Sequence, residues 1–588
     1  MFKLFKQSTK TTKLLALFAI FFVACQGVFE GLQTKMLATI LGILQENPSD
    51  PNKYKFWLWT CFLLGNAICA LLCGLLGSWF GTKASLLSAE TIRRNMFIKT
   101  ANLSFIDIDR ISTSSILTRI TNDVQKYQLA LQMILALFIR APIMFFYGII
   151  SSFLKSWLFG LIFLGIMTII IFGFALIAKS IVINTDKAQA QIDNVNIVVR
   201  ENALGMRIIK SFNLQKQQQD RFNIYSTNLY KYNTKAWIVF GLILPLLNML
   251  IYLSIGSIFL LSGYMFLNGK LSNAINVQFV YEIVNLLMMT LISVILSCSI
   301  TVTCIRAIPS CCRIRKLLSL TPTIKNAVDC KKLSPNNLDI EFHNVNFKYF
   351  DQSEKFVLHN INLKIKQGET LGIVGPTGSG KTTLVNLISR LYDFKETKKS
   401  FLKIGGLRIK EIDLQSLQEY IGVVLQEKIL FSGTIKYNLL YGNHHASDDQ
   451  IMHFAKIACA DTIINNKQHK LNAIVDQRGR NFSGGQQQRL CIIRTLLKQP
   501  KILILDDATS ALDMITEAHL QQNIRNEFKG ITTIIVAQRI SSIKNCDHIV
   551  VMEAGEIVGY GTHKSLCKHN NFYQSIVISQ MGKEGLCK

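Results

Sequence analysis

The stretch Glu369-Thr-Leu-Gly-Ile-Val-Gly-Pro-Thr-Gly-Ser-Gly-Lys-Thr-Thr-Leu-Val-Asn-Leu-Ile388 decides how the second half of this chain is read. Its first six residues have the apolar, β-rich character of a buried strand, and Lys381 onward has helical apolar spacing. Between them lies the loop Gly375-Pro376-Thr377-Gly378-Ser379-Gly380, followed by Lys381, Thr382 and Thr383. Glycines here let the backbone curl so that successive N–H groups converge on phosphates. Lys381 can then reach the outer phosphates, and the Thr382 hydroxyl can hold magnesium. Strand, loop and helix in this order predict an α/β nucleotide-binding domain.

Working outward toward the N-terminus, the character of the 588-residue chain changes near Arg313 to Pro335. Before that boundary, apolar runs alternate with basic segments. Six of them are long enough to cross a bilayer, which takes about 20 helical residues. They are placed near 14–42, 56–80, 129–154, 157–182, 237–267 and 278–305, and Phe56 to Phe80 carries no formal charge. Six such runs could not all be hidden in a soluble domain of this size. The expected division is a transmembrane domain over 1–315, a linker over 316–337 and a nucleotide-binding domain over 338–588.

Lys and Arg follow the two long loops, as at Lys83, Arg93, Arg94, Lys99, Arg110, Arg119 and Lys126, and again from Lys187 to Lys235. The opposite side offers only Lys53, Lys55, Lys155 and Lys270. The positive-inside rule puts both termini, both long loops and the nucleotide domain in the cytoplasm of a bacterial-type inner or plasma membrane. A basic surface facing anionic lipid accounts for much of the formal charge of +27 better than nucleic-acid binding, for which no recognition motif is present. Lys3 to Lys13 followed by Leu14 to Cys25 also fits a secretory signal. An uncleaved first helix is preferred, because cleavage would leave five spans and strand the nucleotide domain on the wrong side. The 14 cysteines include no Cys-x-x-Cys pair and are expected to stay reduced.

Downstream of the phosphate loop, Lys501-Ile-Leu-Ile-Leu-Asp506 is a buried strand ending in a carboxylate suited to magnesium. Between the two lies Asn481-Phe-Ser-Gly-Gly-Gln486 at a helix start, where backbone donors can grip an anion. Phe482 to Gln486 resembles the signature sequence of ATP-binding cassette (ABC) proteins. Thr113–Asp123 and Arg200–Phe212 resemble the long cytoplasmic loops of exporters of that family, which are helical extensions whose tips press on the ATP domains.

The resemblance, with six spans followed by one ATP domain, implies half of an ATP-driven exporter that works as a pair of halves in the bilayer, with ATP and magnesium. It also implies roles. Tyr349 stacks on adenine, and Gln426 touches magnesium together with Thr382 and Asp506. Ser483, Gly484, Gly485 and Gln486 complete a site on the partner chain, and Asp513, in Ser510-Ala-Leu-Asp513, crosses the dimer interface. Taken singly, Tyr349 reads equally as a core aromatic and Gln426 as a surface glutamine; order and spacing favour the site.

Two positions depart from the family pattern. The residue after the magnesium aspartate is usually Glu, which orients or deprotonates the attacking water; here it is Asp507. After the strand Thr532–Ala537 the usual histidine is replaced by Gln538, which can donate a hydrogen bond but cannot carry a charge. A site that has lost reach and charge is expected to bind ATP and hydrolyse it slowly, within a heterodimer whose partner supplies the better catalytic residues, the pattern of heterodimeric multidrug exporters. A homodimeric lipid flippase or peptide exporter, and an ATP-gated regulator or channel, remain alternatives.

In the membrane half, Gln26, Glu30 and Gln33 share one face of a helix. With Arg140 and Glu282 they are candidates either for substrate contact or for interhelical pairing. Pro142 and Pro245 are expected to bend their helices.

Overall fold

The computed structural model describes residues 1–46, 53–155, 157–267, 277–327, 329–335, 337–349 and 355–582. Lys270, one of the outer-side lysines, lies outside the described residues. Two compact units emerge. One comprises Met1–Ala101 and Thr113–Leu320; the other comprises Asn102–Ser112 and Thr321–Lys588.

The first unit is helical. Its long helices are Lys10–Glu46, Lys53–Ala101, Trp157–Leu204, Gln215–Leu267 and Val277–Ser319, together with a composite rod from Val124 to Lys155. Among the described residues, Lys10–Leu44, Tyr54–Ala101 and Thr113–Leu154 are long and apolar enough to span a membrane. Shorter apolar stretches, Trp157–Ile169, Asn248–Tyr264 and Val280–Ser293, fall within the other three expected spans. Helices overrun the expected spans because they continue as charged rods beyond the apolar section. Lys53–Ala101, for example, passes Phe80 and runs on through Arg93, Arg94 and Lys99.

Local chemistry shapes these rods. Pro142 lacks the N–H that would bond the carbonyl four residues back, and the helix widens into a π-turn over Ile134–Phe138, which ends at that fourth residue. Pro245 and Pro309 both lie inside continuous helices. A second π-turn over Arg119–Asp123 turns the Asp123 carboxylate, 1% exposed, toward the last helix. There it accepts from Arg313 Nε at 2.7 Å and Ser310 Oγ at 2.8 Å. A buried chain of hydroxyls, Ser8–Ser88–Tyr127, with 2.8 Å at each link, ties the bend before the helix Lys10–Glu46 to two other helices.

The second unit is α/β, with strands β1 (Ile340–Phe347), β2 (Leu358–Ile365), β3 (Thr370–Val374), β4 (Phe401–Ile404), β5 (Leu407–Arg408), β6 (Ile421–Val424), β7 (Gly433–Thr434), β8 (Ile474–Val475), β9 (Ile502–Asp506), β10 (Thr532–Val536), β11 (His548–Glu553) and β12 (Glu556–Gly561). The main sheet has the order β12-β11-β3-β10-β9-β6. Its five inner and right-hand strands are parallel, and β12 pairs antiparallel with β11. Parallel strands covered on both faces are apolar throughout, and every residue of β9 and β10 is buried. Alternate side chains feed two cores. Ile502 and Ile504 join one, while Leu503 and Leu505 join the other. A smaller antiparallel sheet, β2-β1-β4-β5, packs into the first of these cores.

The short helix Phe105–Ile111 belongs to this second unit although it lies within the first long loop of the helical half. Its Asp107 accepts hydrogen bonds from the Thr323 N–H at 3.0 Å and the Thr323 hydroxyl at 2.6 Å. Ser104 Oγ accepts from the Ile324 N–H at 2.9 Å.

Candidate functional site

The phosphate loop links the C-terminal end of β3 to the helix Lys381–Ile388. Gly378 and Gly380 have φ of +83° and +96°, values that favour glycine. A Cβ on Gly375 would collide with the Met552 carbonyl oxygen of the neighbouring strand. Three glycines are therefore required for two different reasons, left-handed backbone and close approach.

A cleft of about 250 Å³ opens over this loop. It is lined by Thr377, Gly378, Gly380, Lys381, Thr382, Thr383, Gln426, Asp506, Asp507 and Gln538, with Val357, Val536 and Ala537. The structure thus brings together residues from five separate sequence regions. Lys381 Nζ donates to the Gly375 and Pro376 carbonyls at 2.8 and 2.7 Å, folded onto its own loop. The Thr382 hydroxyl donates to Asp506 Oδ1 at 3.1 Å. Burial pushes the Lys381 ammonium below its ordinary range, with Asp507 and Asp506 opposing that shift. Burial likewise raises the Asp506 carboxyl, a shift opposed by the Thr382 hydrogen bond. The Ser379 hydroxyl is buried with no hydrogen-bond partner among the described residues.

An orphaned buried hydroxyl, a half-buried cation and a hydroxyl–carboxylate pair are what a triphosphate with a hard divalent ion would satisfy. The donor set fits ATP and magnesium.

Asp507 follows β9 with φ +50°, unusual for a residue with a side chain. Its N–H donates to the Val536 carbonyl at 3.0 Å, and its Oδ2 accepts from Gln538 Nε2 at 3.1 Å. Burial raises its carboxyl, opposed by Lys381, Lys428 and the Gln538 bond. The two residues that depart from the family pattern are thus bonded to each other.

Ser483, Gly484, Gly485 and Gln486 lie outside this cleft, at the start of the helix Gly484–Leu496. Ser483 and Gln486 form a reciprocal capping box: Ser483 N–H donates to Gln486 Oε1 at 3.0 Å, and Gln486 N–H to Ser483 Oγ. Asp513 caps the next helix, accepting from the Thr516 N–H at 2.9 Å.

Tyr349 stands beside the phosphate-loop helix, its hydroxyl 2.9 Å from Thr383 Oγ1. Its ring meets that of Tyr392 edge-on at 4.9 Å. The Tyr392 hydroxyl donates to Asp109 Oδ2 of the loop-tip helix at 2.9 Å, while burial, then Asp109, pushes that phenol well above its usual range. Sequence reading missed Tyr392 and Asp109; 283 positions separate them, and no local motif marks either.

In the helical unit, Glu30 accepts from Gln26 Nε2 at 2.9 Å and from Arg140 Nε at 2.7 Å. Among the described residues, Gln33 makes no bond to this group. Glu282 is buried on another helix, within electrostatic reach of Tyr147. Of the two sequence expectations, this geometry favours interhelical pairing for Glu30 and Arg140, with Gln26 bonded to Glu30 along its own helix.

Comparison with known proteins adds the family. Residues 16–291 match the ABC transporter transmembrane region and residues 358–510 the ABC transporter domain. The chain is 31% identical to the uncharacterized ABC transporter ATP-binding protein YfiB of Bacillus subtilis, over 98% of both chains. It is 32% identical to an ATP-dependent lipid A-core flippase of Desulfotalea psychrophila, over 79% of each. In fold, it resembles a bacterial Atm1-family ABC exporter solved with ATP bound, with a TM-score of 0.80, 21% identity and coverage of 97% and 98% of the two chains. The matched regions, their order and the nucleotide cleft together place this chain in the ABC transporter family, as an exporter half that fuses a helical transmembrane region to an ATP-binding domain.

Proposed function

We propose that this chain is one half of an asymmetric exporter. Its own phosphate loop holds ATP and magnesium but turns the nucleotide over slowly, while its signature residues complete a faster site on a partner chain. The observation that carries this reading is the bond from Gln538 to Asp507. A carboxylate one methylene shorter than glutamate, occupied by a neutral amide, has lost both reach and the cationic partner that a histidine could provide. General-base assistance is worth roughly 10²–10⁴ in rate.

In this reading the transmembrane domain occupies 1–315, the linker 316–337 and the ATP domain 338–588, with the termini and ATP domain cytoplasmic. Gly375 to Thr383 cradle the phosphates and Tyr349 stacks on adenine. Thr382, Gln426 and Asp506 hold magnesium, which when bound neutralises developing phosphate charge. Lys381 swings from the loop carbonyls to the outer phosphates. Asp513 lies at the seam with the partner. ATP bridges the two ATP domains, closure pulls on the loop tips and opens the cavity outward, and hydrolysis releases the bridge. Support for a partner comes also from the tip of the second long loop, where Leu204, Met206, Ile208 and Phe212 are all exposed, an apolar surface suited to a second chain's ATP domain. The cargo is a small or amphipathic molecule, with the Gln26–Glu30–Arg140 group, Gln33 and Glu282 lining or bracing its route.

The test is to purify the complex, identify its chains, and measure ATPase rates after Asp507→Glu here and after Glu→Gln at the matching position of the partner. Near-abolition by the second change with little response to the first is the expected result; equal sensitivity of the two sites removes the asymmetry. A homodimeric lipid flippase is the second reading, favoured by the lipid A-core flippase among the relatives. Recovery of this chain alone with brisk ATPase activity would select it.

A further inference from the structure

The signature helix and the chain's own catalytic loop are one hydrogen-bonded body. Gln488, one turn into the helix Gly484–Leu496, is 1% exposed. Its side-chain amide makes two bonds to the loop that follows β9: Nε2 donates to the Asp507 carbonyl at 3.0 Å, and Oε1 accepts from the Ala511 N–H at 3.3 Å. The amide therefore spans the segment from Asp507 to Ala511, at whose head Asp507 sits in a left-handed conformation. Such a conformation persists only where its surroundings over-determine it.

Two further contacts tie the same elements. A Cβ on Gly485 would lie 2.9 Å from the Ala511 carbonyl oxygen, so the signature glycine lets the helix abut the interface loop directly. On the other side, Arg539 Nη1 donates to the Leu512 carbonyl at 3.3 Å, joining that loop to the residue after Gln538. Ser483 and Gly484 are exposed, whereas the amide that connects them to Asp507 is buried. The exposed end can meet a ligand, and the buried end cannot move without moving Asp507.

We propose that Gln488 is a positioning residue that couples the two ATP sites, so that nucleotide gripped by Ser483–Gln486 on the partner is felt at Asp507 and alters how long this chain's own loop retains its nucleotide. The proposal rests on the composite-site reading above. A displacement of the signature helix along its axis would be carried by the amide to the Asp507 carbonyl and the Ala511 N–H together. A buried amide left with one unmatched group pays for the mismatch, which makes sliding of one element past the other unfavourable. This gives a slow site a use, as a sensor of its neighbour's state.

A double-mutant cycle tests it in the full-length complex co-purified with its native partner. Radiolabelled 8-azido-ATP is bound, chased with unlabelled ATP for increasing times and then photo-crosslinked, so that label on this chain reports retention at its own loop. With Gln488 intact, Ser483→Ala is expected to change that release rate by about fivefold. In a Gln488→Leu background the same change should move it by less than about twofold. Gln488→Glu keeps an acceptor for Ala511 but withdraws the donor to Asp507, and should give intermediate coupling even if the leucine variant does not assemble. Equal shifts in all backgrounds overturn the proposal. If Ser483→Ala lowers the ATPase rate of the complex but leaves release at this loop unchanged, the coupling is refuted and the composite sites stand. No effect of Ser483→Ala on either measurement removes both.

Discussion

The cleft over Lys381 and the face at Ser483 belong to one domain but are built to opposite rules. In the cleft, polar groups are turned inward on one another: Lys381 onto loop carbonyls, Thr382 onto Asp506, Gln538 onto Asp507. At the signature, the side chains of Ser483 and Gln486 satisfy each other's backbone through the capping box, and the end of the helix is left exposed. A site that neutralises its own groups suits holding a ligand. An exposed helix start, with its outward N–H groups and positive end, suits completing a site made elsewhere. Substitutions in the two regions should therefore have unequal consequences for turnover.

The largest effect is expected at the signature. Gly485→Val places atoms where the Ala511 carbonyl already stands and should cut the steady-state ATPase rate of the complex by about 10²-fold or more; a loss of only a few-fold would break the comparison. Next comes a gain in the cleft. Asp507→Glu combined with Gln538→His should raise single-turnover hydrolysis at this chain's loop by roughly 10- to 100-fold, read as labelled phosphate released while the partner's loop lysine is replaced. Asp507→Ala alone should lower the ATPase rate of the whole complex by less than about threefold, a barrier change under about 1 kcal/mol. The smallest effect is structural: Tyr392→Phe removes the bond to Asp109, about 1 kcal/mol. In calorimetry of the full chain it should lower the midpoint of the ATP domain's transition by about 2–4 °C, with the nucleotide cleft's affinity little changed.

What the sequence made legible were features whose geometry is local. The loop from Gly375 to Gly380 needs left-handed backbone and close approach at fixed offsets, so its residue types betray it. The signature Phe482–Gln486 is likewise a short string at a helix start, and β9 announces burial by its apolar run from Ile502 to Leu505. Features that depend on chain crossings were not readable. Tyr392 and Asp109 are ordinary residues until the fold brings them together. Gln488 lies two positions past Gln486, yet its side-chain bonds go to the loop following β9. The polar face of Gln26, Glu30 and Gln33 was visible as a stripe, but the helical period alone could not show that Glu30 would pair with Arg140 while Gln33 stayed outside the bonded group. The expected spans marked membrane-crossing sections, and that the rods continue past them as helix was implied by the family resemblance rather than by hydropathy. Hydropathy marks only the apolar section of a rod such as Lys53–Ala101, whose charged extension looks like a loop in sequence.

The allegiance of the tip segment Asn102–Ser112 to the second unit has a consequence for biosynthesis. Asp107 emerges from the ribosome 216 residues ahead of the Thr323 that it will bond, and at ordinary elongation speeds that is a wait of roughly 10–40 s. During this interval the tip lacks its Thr323 and Tyr392 partners, while the local bond from the Ser104 N–H to Asp107 at 3.2 Å is available. The last part of the chain to be translated therefore finishes folding around a piece made near the beginning. Nascent chains stalled before Thr323 should leave that tip open to a cytosolic protease, and full-length chains should protect it.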